Sequence, residues 1–248
     1  VLLAVIVATG VLTGALAVGD SVRYTLRKTL EARLGKIQFA VLPQGRFFRA
    51  ALADDLERQW GGTVASVLQV SGIVTNDDGS RRVNRVQVLG VTNRFYAVGL
   101  GTNPFGAERT EGVVLSEAVA QRLGATAGDE IVLRLEKPGL MPREVPLASD
   151  KDRTVASRLQ VRAVADDAAF GRFDLQANQI PSLNVFVPLS WLGTQIEQPD
   201  RANMLLAAHD KSGTTAPDMT RAVQKAWQLS DAGLELGRLP QRDVLELR

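Results

Sequence analysis

The sequence predicts an α+β protein in which one long N-terminal helix leads into a divided α/β body carrying a smaller β-rich insertion. That class follows from three features of the chain. The first nineteen residues, Val1 to Gly19, hold no charged side chain, and charge then arrives densely with Asp20, Arg23, Arg27, Lys28, Glu31 and Arg33. Strand–helix–strand runs occur on both sides of a central stretch made of short alternating segments. With 45% hydrophobic and 23% charged residues, the chain beyond the first helix suffices for one large domain or two small ones.

Residues 1–19 predict a transmembrane helix. At ~1.5 Å of rise per residue the segment is roughly 28 Å long, close to the ~30 Å hydrocarbon core of a bilayer. Ten of its residues are Val, Leu or Ile. Each favours insertion by ~0.3 to 0.6 kcal/mol, so together they contribute on the order of 3 to 6 kcal/mol. A core helix of a soluble domain rarely ends a chain with nothing polar on any face. Gly10 and Gly14, at Gly-x-x-x-Gly spacing, are candidates for close packing on another helix in the membrane.

Residues 20–35 predict an amphipathic stalk continuous with that helix. Val22, Leu26, Leu30 and Leu34 share a slowly drifting face, Arg23, Arg27, Lys28 and Glu31 lie off it, and Gly35 is a C-cap. With no Met and no charged flank before Val1, the chain reads as a fragment that begins inside its span. A rival is a signal peptide cleaved after Ala17, since Ala15-Leu16-Ala17 has the small-x-small pattern. Its apolar run exceeds the usual ~7 to 15 residues, and the helical pattern runs straight through the cleavage site.

In the first half of the body, residues 36–104, Ile37 to Leu42 is a strand run, Arg46 to Trp60 a helix and Thr63 to Val70 a second strand. Phe48, Leu52, Leu56 and Trp60 stand four apart, opposite Arg49, Asp54 and Arg58. Asn76-Asp77-Asp78-Gly79 is a turn into a strand at Arg82 to Val91. In the insertion, residues 105–165, Glu111 to Leu115 is a strand and Glu117 to Leu123 a helix closed by Gly124. Ile131 to Leu135 and Leu159 to Ala165 alternate around a loop, Lys137 to Ser157. Val114, Leu123, Ile131, Leu133 and Val161 are its expected separate core. In the second half, residues 166–248, strands at Asn184 to Leu189 and Asn203 to Ala208 flank a helix at Ser190 to Ile196. A final helix spans Pro217 to Gln228.

Composition narrows the function. A net charge of +2 without any basic cluster interleaved with aromatics argues against nucleic-acid binding. Zero cysteines exclude disulfides, thiol catalysis and Cys-based zinc sites. His209, the one histidine, has no nucleophile motif beside it and reads as a structural residue. Gly99-Leu100-Gly101 with Gly106 lacks phosphate-loop spacing and is read as a turn between subdomains. Asp77-Asp78 and Asp166-Asp167 lack further metal-ligand neighbours and read as solvated loop ends. No catalytic, metal or cofactor residue is assigned, and the chain is read as a non-enzyme. Phe170, Phe173 and Ile180, set among loop residues, are candidates for a partner surface.

The run Gly14-Ala15-Leu16-Ala17-Val18-Gly19-Asp20-Ser21-Val22-Arg23, the stalk end Arg33-Leu34-Gly35 and Arg46-Phe47-Phe48 resemble the start of bacterial ABC transporter permeases of the MacB/FtsX/LolC type. Gly112-Val113-Val114-Leu115-Ser116-Glu117-Ala118 through Arg122-Leu123-Gly124 to Gly128-Asp129 is similar to that family's inserted segment. Val185-Phe186-Val187-Pro188-Leu189 and Asn203-Met204-Leu205-Leu206 are similar to its returning half. The resemblance implies a first span followed by an extracytoplasmic core domain at the bacterial plasma membrane. It implies that this core is a divided porter-like subdomain with a second one inserted, and it implies a separate cytoplasmic ATPase that uses ATP, a second permease copy, contact with the bilayer, and a periplasmic adaptor or lipoprotein as partner. Arg23, Arg27, Lys28, Arg33 and Lys36 beyond the span would alone favour the cytoplasmic side, whereas the resemblance puts them outside.

Overall fold

A computed structural model describes residues 2–43, 45–99, 102–106, 112–138, 154–167, 169–176, 181–209, 214–234, 236–238 and 245–247. The N-terminal segment is one helix, α1 (Leu2–Leu34), of 33 residues. It runs unbroken through Ala17 and Val18, with the hydroxyls of Thr9, Thr25 and Thr29 donating back to the carbonyls of Val5, Ser21 and Thr25. Gly35, at φ +55°, ends it in the left-handed conformation, and its N–H donates to the Glu31 carbonyl at 2.9 Å.

The expected span over residues 1–19 falls partly outside the described residues. Among the described residues no helix is long and apolar enough to cross a membrane. Val1 and the side chains of residues 3, 4 and 6–8 lie outside them, and the stretch from Thr9 to Gly19 is diluted by two threonines and three glycines. Its described large apolar side chains stand in the open, Leu2 at 79% and Val11 at 68% exposure.

After α1 come β1 (Phe39–Val41), β2 (Phe48–Arg49), α2 (Leu52–Trp60), β3 (Thr63–Asn76), β4 (Arg82–Val91) and α3 (Asn93–Val98). The middle holds β5 (Val113–Ser116), α4 (Glu117–Leu123), β6 (Glu130–Glu136) and β7 (Thr154–Ala165). The return comprises β8 (Asn184–Pro188), α5 (Leu189–Gln195), β9 (Arg201–Ala202), β10 (Met204–Ala208), α6 (Ala216–Ala226), a 3-10 turn (Leu229–Ala232), β11 (Leu236–Arg238) and β12 (Leu245–Leu247).

Eight strands form one sheet in the order β1-β10-β3-β4-β8-β5-β7-β6, and β6 also pairs with β3. The last six strands therefore close into a ring. The 14-residue β3 is the hub: Thr63 to Val67 pair with β10, Leu68 to Thr75 with β4 and Gly72 to Asn76 with β6. Gly72 sits at the branch, where a Cβ would lie 2.9 Å from both the Arg134 carbonyl and the Val88 side chain, so the close approach of three strands requires glycine there.

Four expectations change at this level. The helix expected from Arg46 begins only at Leu52, because Phe48 and Arg49 are extended and pair with Ala202 and Arg201 of β9. The four-residue spacing of Phe48 to Leu52 imitates a helix, but a strand followed by a helix buries both residues in the same cluster. β7 begins at Thr154, so the expected loop end is strand, while residues 139–153 lie outside the described ones. α3 is a further helix in residues 93–98, for which no element was expected, just before the expected turn at Gly99.

The separate core of the insertion also fails. Leu123, Ile131, Leu133 and Val161 pack with Leu68, Val88, Val187 and Leu192, whereas Val114 faces the other way with Phe95 and Phe186. β3 and β4 are long, leaving backbone donors and acceptors beyond the first layer of the sheet, and β6 satisfies them on β3 as β5 does on β8. Phe48, Leu52, Leu56, Val64 and Leu205 form a third cluster with Met219 of α6.

Candidate functional site

The long helix meets the body at a joint made by four short contacts. Beyond the Gly35 cap, the Lys36 N–H donates to the Val98 carbonyl at the end of α3 (2.8 Å), and the Gln38 N–H donates to Ala207 of β10 (2.9 Å). A Cβ on Gly35 would lie 2.7 Å from the Gly99 Cα and 2.9 Å from the Val98 carbonyl oxygen, so the two backbones touch where only glycine fits. On the last turn of α1, Arg33 lies 3.6 Å from the Asp174 carboxylate, with side chains only 14% and 3% exposed. Asp174 also accepts from the Ser182 hydroxyl (2.6 Å) and the Gln176 N–H (2.7 Å).

Beneath the joint lies an aromatic cluster. Phe95 is 5.0 Å from Phe170 and 5.1 Å from Phe173 between ring centroids, and Tyr96 and Phe186 complete the group. Phe170 holds a left-handed φ of +61° and faces Gly99, whose Cβ would meet its ring at 2.9 Å. Asn184, fully buried, donates its amide to the carbonyls of Gly171 and Phe173, tying the 166–176 loop to β8. Burial pushes the Tyr96 phenol far above its ordinary pKa, and it stays neutral. The joint thus rests on a buried, aromatic floor.

This location corrects the assignment of Phe170 and Phe173. Expected on a partner surface, both are 1% exposed, because loop aromatics bury more apolar area by folding onto α3 than they could leave in water. Ile180, grouped with them, lies outside the described residues. The stalk residues behave differently along their length. Leu34 is half-buried at the joint, while Val22, Leu26 and Leu30 are 52%, 59% and 54% exposed. A Cβ on Gly10 or Gly14 would have nothing within 4 Å.

The other end of α3 meets α2. Arg94 pairs with Asp54 and, at 3.2 Å, with Glu57 on α2. On α2, Asp55 binds Arg58 and, at 3.1 Å, Arg49, whose guanidinium also grips the buried Asp231 through two bonds of 2.9 Å. These pairs flank an open cleft of about 840 Å³ lined by Ser66, Thr92, Arg94, Asp200 and Arg201. Neither α3 nor this network was legible beforehand; the spacing of Arg94 from Asp54 in sequence carries no signal.

The residues weighed for chemistry are structural. His209 packs edge-on against Trp60 at 4.9 Å. Asp78 caps its own turn through the Ser80 N–H, Asp77 pairs with Arg158 and Asp167 with Arg172. Among the described residues no group of three His, Cys, Asp or Glu is placed to hold a metal ion.

The model of the MacB-like periplasmic core domain matches residues 1–226. The chain belongs to the family of MacB-like periplasmic core domains. It is thereby a core domain of a MacB/FtsX-type permease of the ABC transporter class, with its globular part extracytoplasmic. Two solved structures are similar. One is the periplasmic region of MacB from Actinobacillus actinomycetemcomitans, at 13% identity and a TM-score of 0.47, covering 79% of this chain and 84% of that one. The other is the extracellular domain of the noncanonic ABC-type transporter YknZ from Gram-positive bacteria, at 11% identity and a TM-score of 0.48, covering 77% and 86%. No curated protein matches.

Proposed function

We propose that this MacB-like core domain receives ATP-driven movement through α1 and turns it into a tilt of the extracytoplasmic body. A separate cytoplasmic ATPase, assembled with the permease, supplies the energy. Residues 1–19 lie in the bilayer. Val22, Leu26 and Leu30 pack on a second permease copy or on another span, and the tilting body works on a periplasmic adaptor, a lipoprotein or a substrate. The observation that supports this reading best is the joint: an unbroken 33-residue helix fixed at its end by the Gly35–Gly99 contact, the Lys36–Val98 hydrogen bond and the Arg33–Asp174 pair. A tether would need no such fixation. The chain binds no cofactor in this reading and alters no substrate chemically.

The test compares Leu30→Lys with Thr29→Lys in the intact permease. Leu30 lies on the apolar stripe and Thr29 beside it with its hydroxyl bonded to Thr25, both exposed in the single chain. Lys at Leu30 places charge in the packed seam, at a cost of several kcal/mol unless it snorkels. Loss of transport with retained ATP hydrolysis in Leu30→Lys alone is expected. Full activity in both variants would make α1 a passive tether.

A further inference from the structure

Beside the stripe of Val22, Leu26 and Leu30, α1 carries Arg23, Tyr24, Arg27 and Lys28, all exposed: Tyr24 and Lys28 lie opposite the stripe, and Arg23 and Arg27 flank it, three residues from Leu26 and Leu30. Tyr24 is 61% exposed, and the Lys28 ammonium sits 5.0 Å from the centre of its ring. Arg27 reaches Glu31 at 3.6 Å, with side chains 83% and 55% exposed, a contact readily exchanged for another anion. Over residues 20–28 three cations face one acid, Asp20.

Position along the helix gives this face a destination. Arg23 and Tyr24 stand roughly 6 to 8 Å beyond Gly19, and Arg27 and Lys28 about 12 to 14 Å. A headgroup layer is roughly 5 to 8 Å deep on each side of the hydrocarbon. Tyr24 therefore sits at the level where aromatic belts form, Arg23 among the phosphates, and Arg27 and Lys28 within reach of them by bending their long side chains back. Glu31, about 18 Å out, lies beyond that layer.

We propose that the face of Arg23, Tyr24, Arg27 and Lys28 docks on phospholipid headgroups, with the three cations on lipid phosphates and a preference for anionic lipids. This rests on the reading that residues 1–19 lie in the bilayer. The stalk then has two kinds of partner: the apolar stripe takes protein, and the basic face that borders it takes lipid. Lipid contact fixes the depth of the helix and gives the rocking stalk a footing at the membrane surface.

The experiment reconstitutes the full chain in bilayer discs of equal phosphatidylglycerol and phosphatidylcholine and counts retained lipids by native mass spectrometry. Flotation with pure phosphatidylcholine vesicles is measured in parallel. The wild type is expected to float and to retain several-fold more phosphatidylglycerol, with up to about a fivefold loss of preference per cation removed. Arg23→Gln/Arg27→Gln/Lys28→Gln should still float yet retain the lipids in their input ratio, while Lys225→Gln on α6 keeps the preference. A wild type that floats but retains lipids in the input ratio, or a triple variant that keeps the preference, overturns the headgroup proposal alone. A wild type that does not float overturns the bilayer reading beneath it.

Discussion

Arg33, on the last turn of α1, lies 3.6 Å from Asp174 in the loop before β8, and the pair joins the stalk to the floor of the body. Both side chains are nearly out of water, so the attraction is little screened. Arg33→Met removes the cation and leaves Asp174 with its bonds from Ser182 and Gln176. Because those bonds persist, the expected loss is about 1–3 kcal/mol rather than the ~3–5 kcal/mol of a stripped buried charge. Urea denaturation measures it. Faster amide exchange at Gly35 and Lys36 should accompany it.

Gly35→Ala should be worse than its backbone conformation alone predicts. At φ +55° a Cβ costs about 1–2 kcal/mol, and here it also strikes Gly99 and Val98. Gly45, at φ +67° with nothing within 4 Å, is the matched control. Gly45→Ala should show the conformational cost only. Equal melting temperatures for the two variants would mean that the backbone contact at the joint is unimportant.

Phe173→Ala empties part of the aromatic floor and should destabilise the body by about 3–5 kcal/mol, as large core truncations do. A residue on a partner surface would give no such loss in the isolated chain. Calorimetry of the single chain distinguishes the two roles.

Acid should loosen the start of α6. The Thr215 hydroxyl and N–H hold the Asp218 carboxylate below its ordinary pKa, with help from Arg221. A depressed folded-state pKa contributes stability above the unfolded value near 4, lost as pH falls through the folded value. The protection factors of the Met219 and Thr220 amides, taken relative to their intrinsic exchange at each pH, should therefore fall below about pH 4. In Asp218→Asn those protection factors should be independent of pH over that range.

The two ends of this account differ in legibility. The strand from Arg82 to Val91 and the helix from Glu117 to Leu123 with its Gly124 cap were readable because alternation, four-residue spacing and a left-handed glycine are local signals. The continuity of α1 past Ala17 followed from the same kind of pattern. Phe48 misled, since one spacing served equally for a helix and for a strand that shares a cluster with the helix after it.

By itself, then, the order of residues determined the long helix, its apolar and charged faces, most strands and the family. Only tertiary structure decided that the insertion shares a core with Val187, that Phe170 and Phe173 form a buried floor, and that Arg33 finds Asp174. The physical reason is range: helix and strand periodicity is written within a few residues, whereas sheet neighbours, buried partners and ion pairs separated by more than a hundred residues depend on how the whole chain closes its backbone hydrogen bonds.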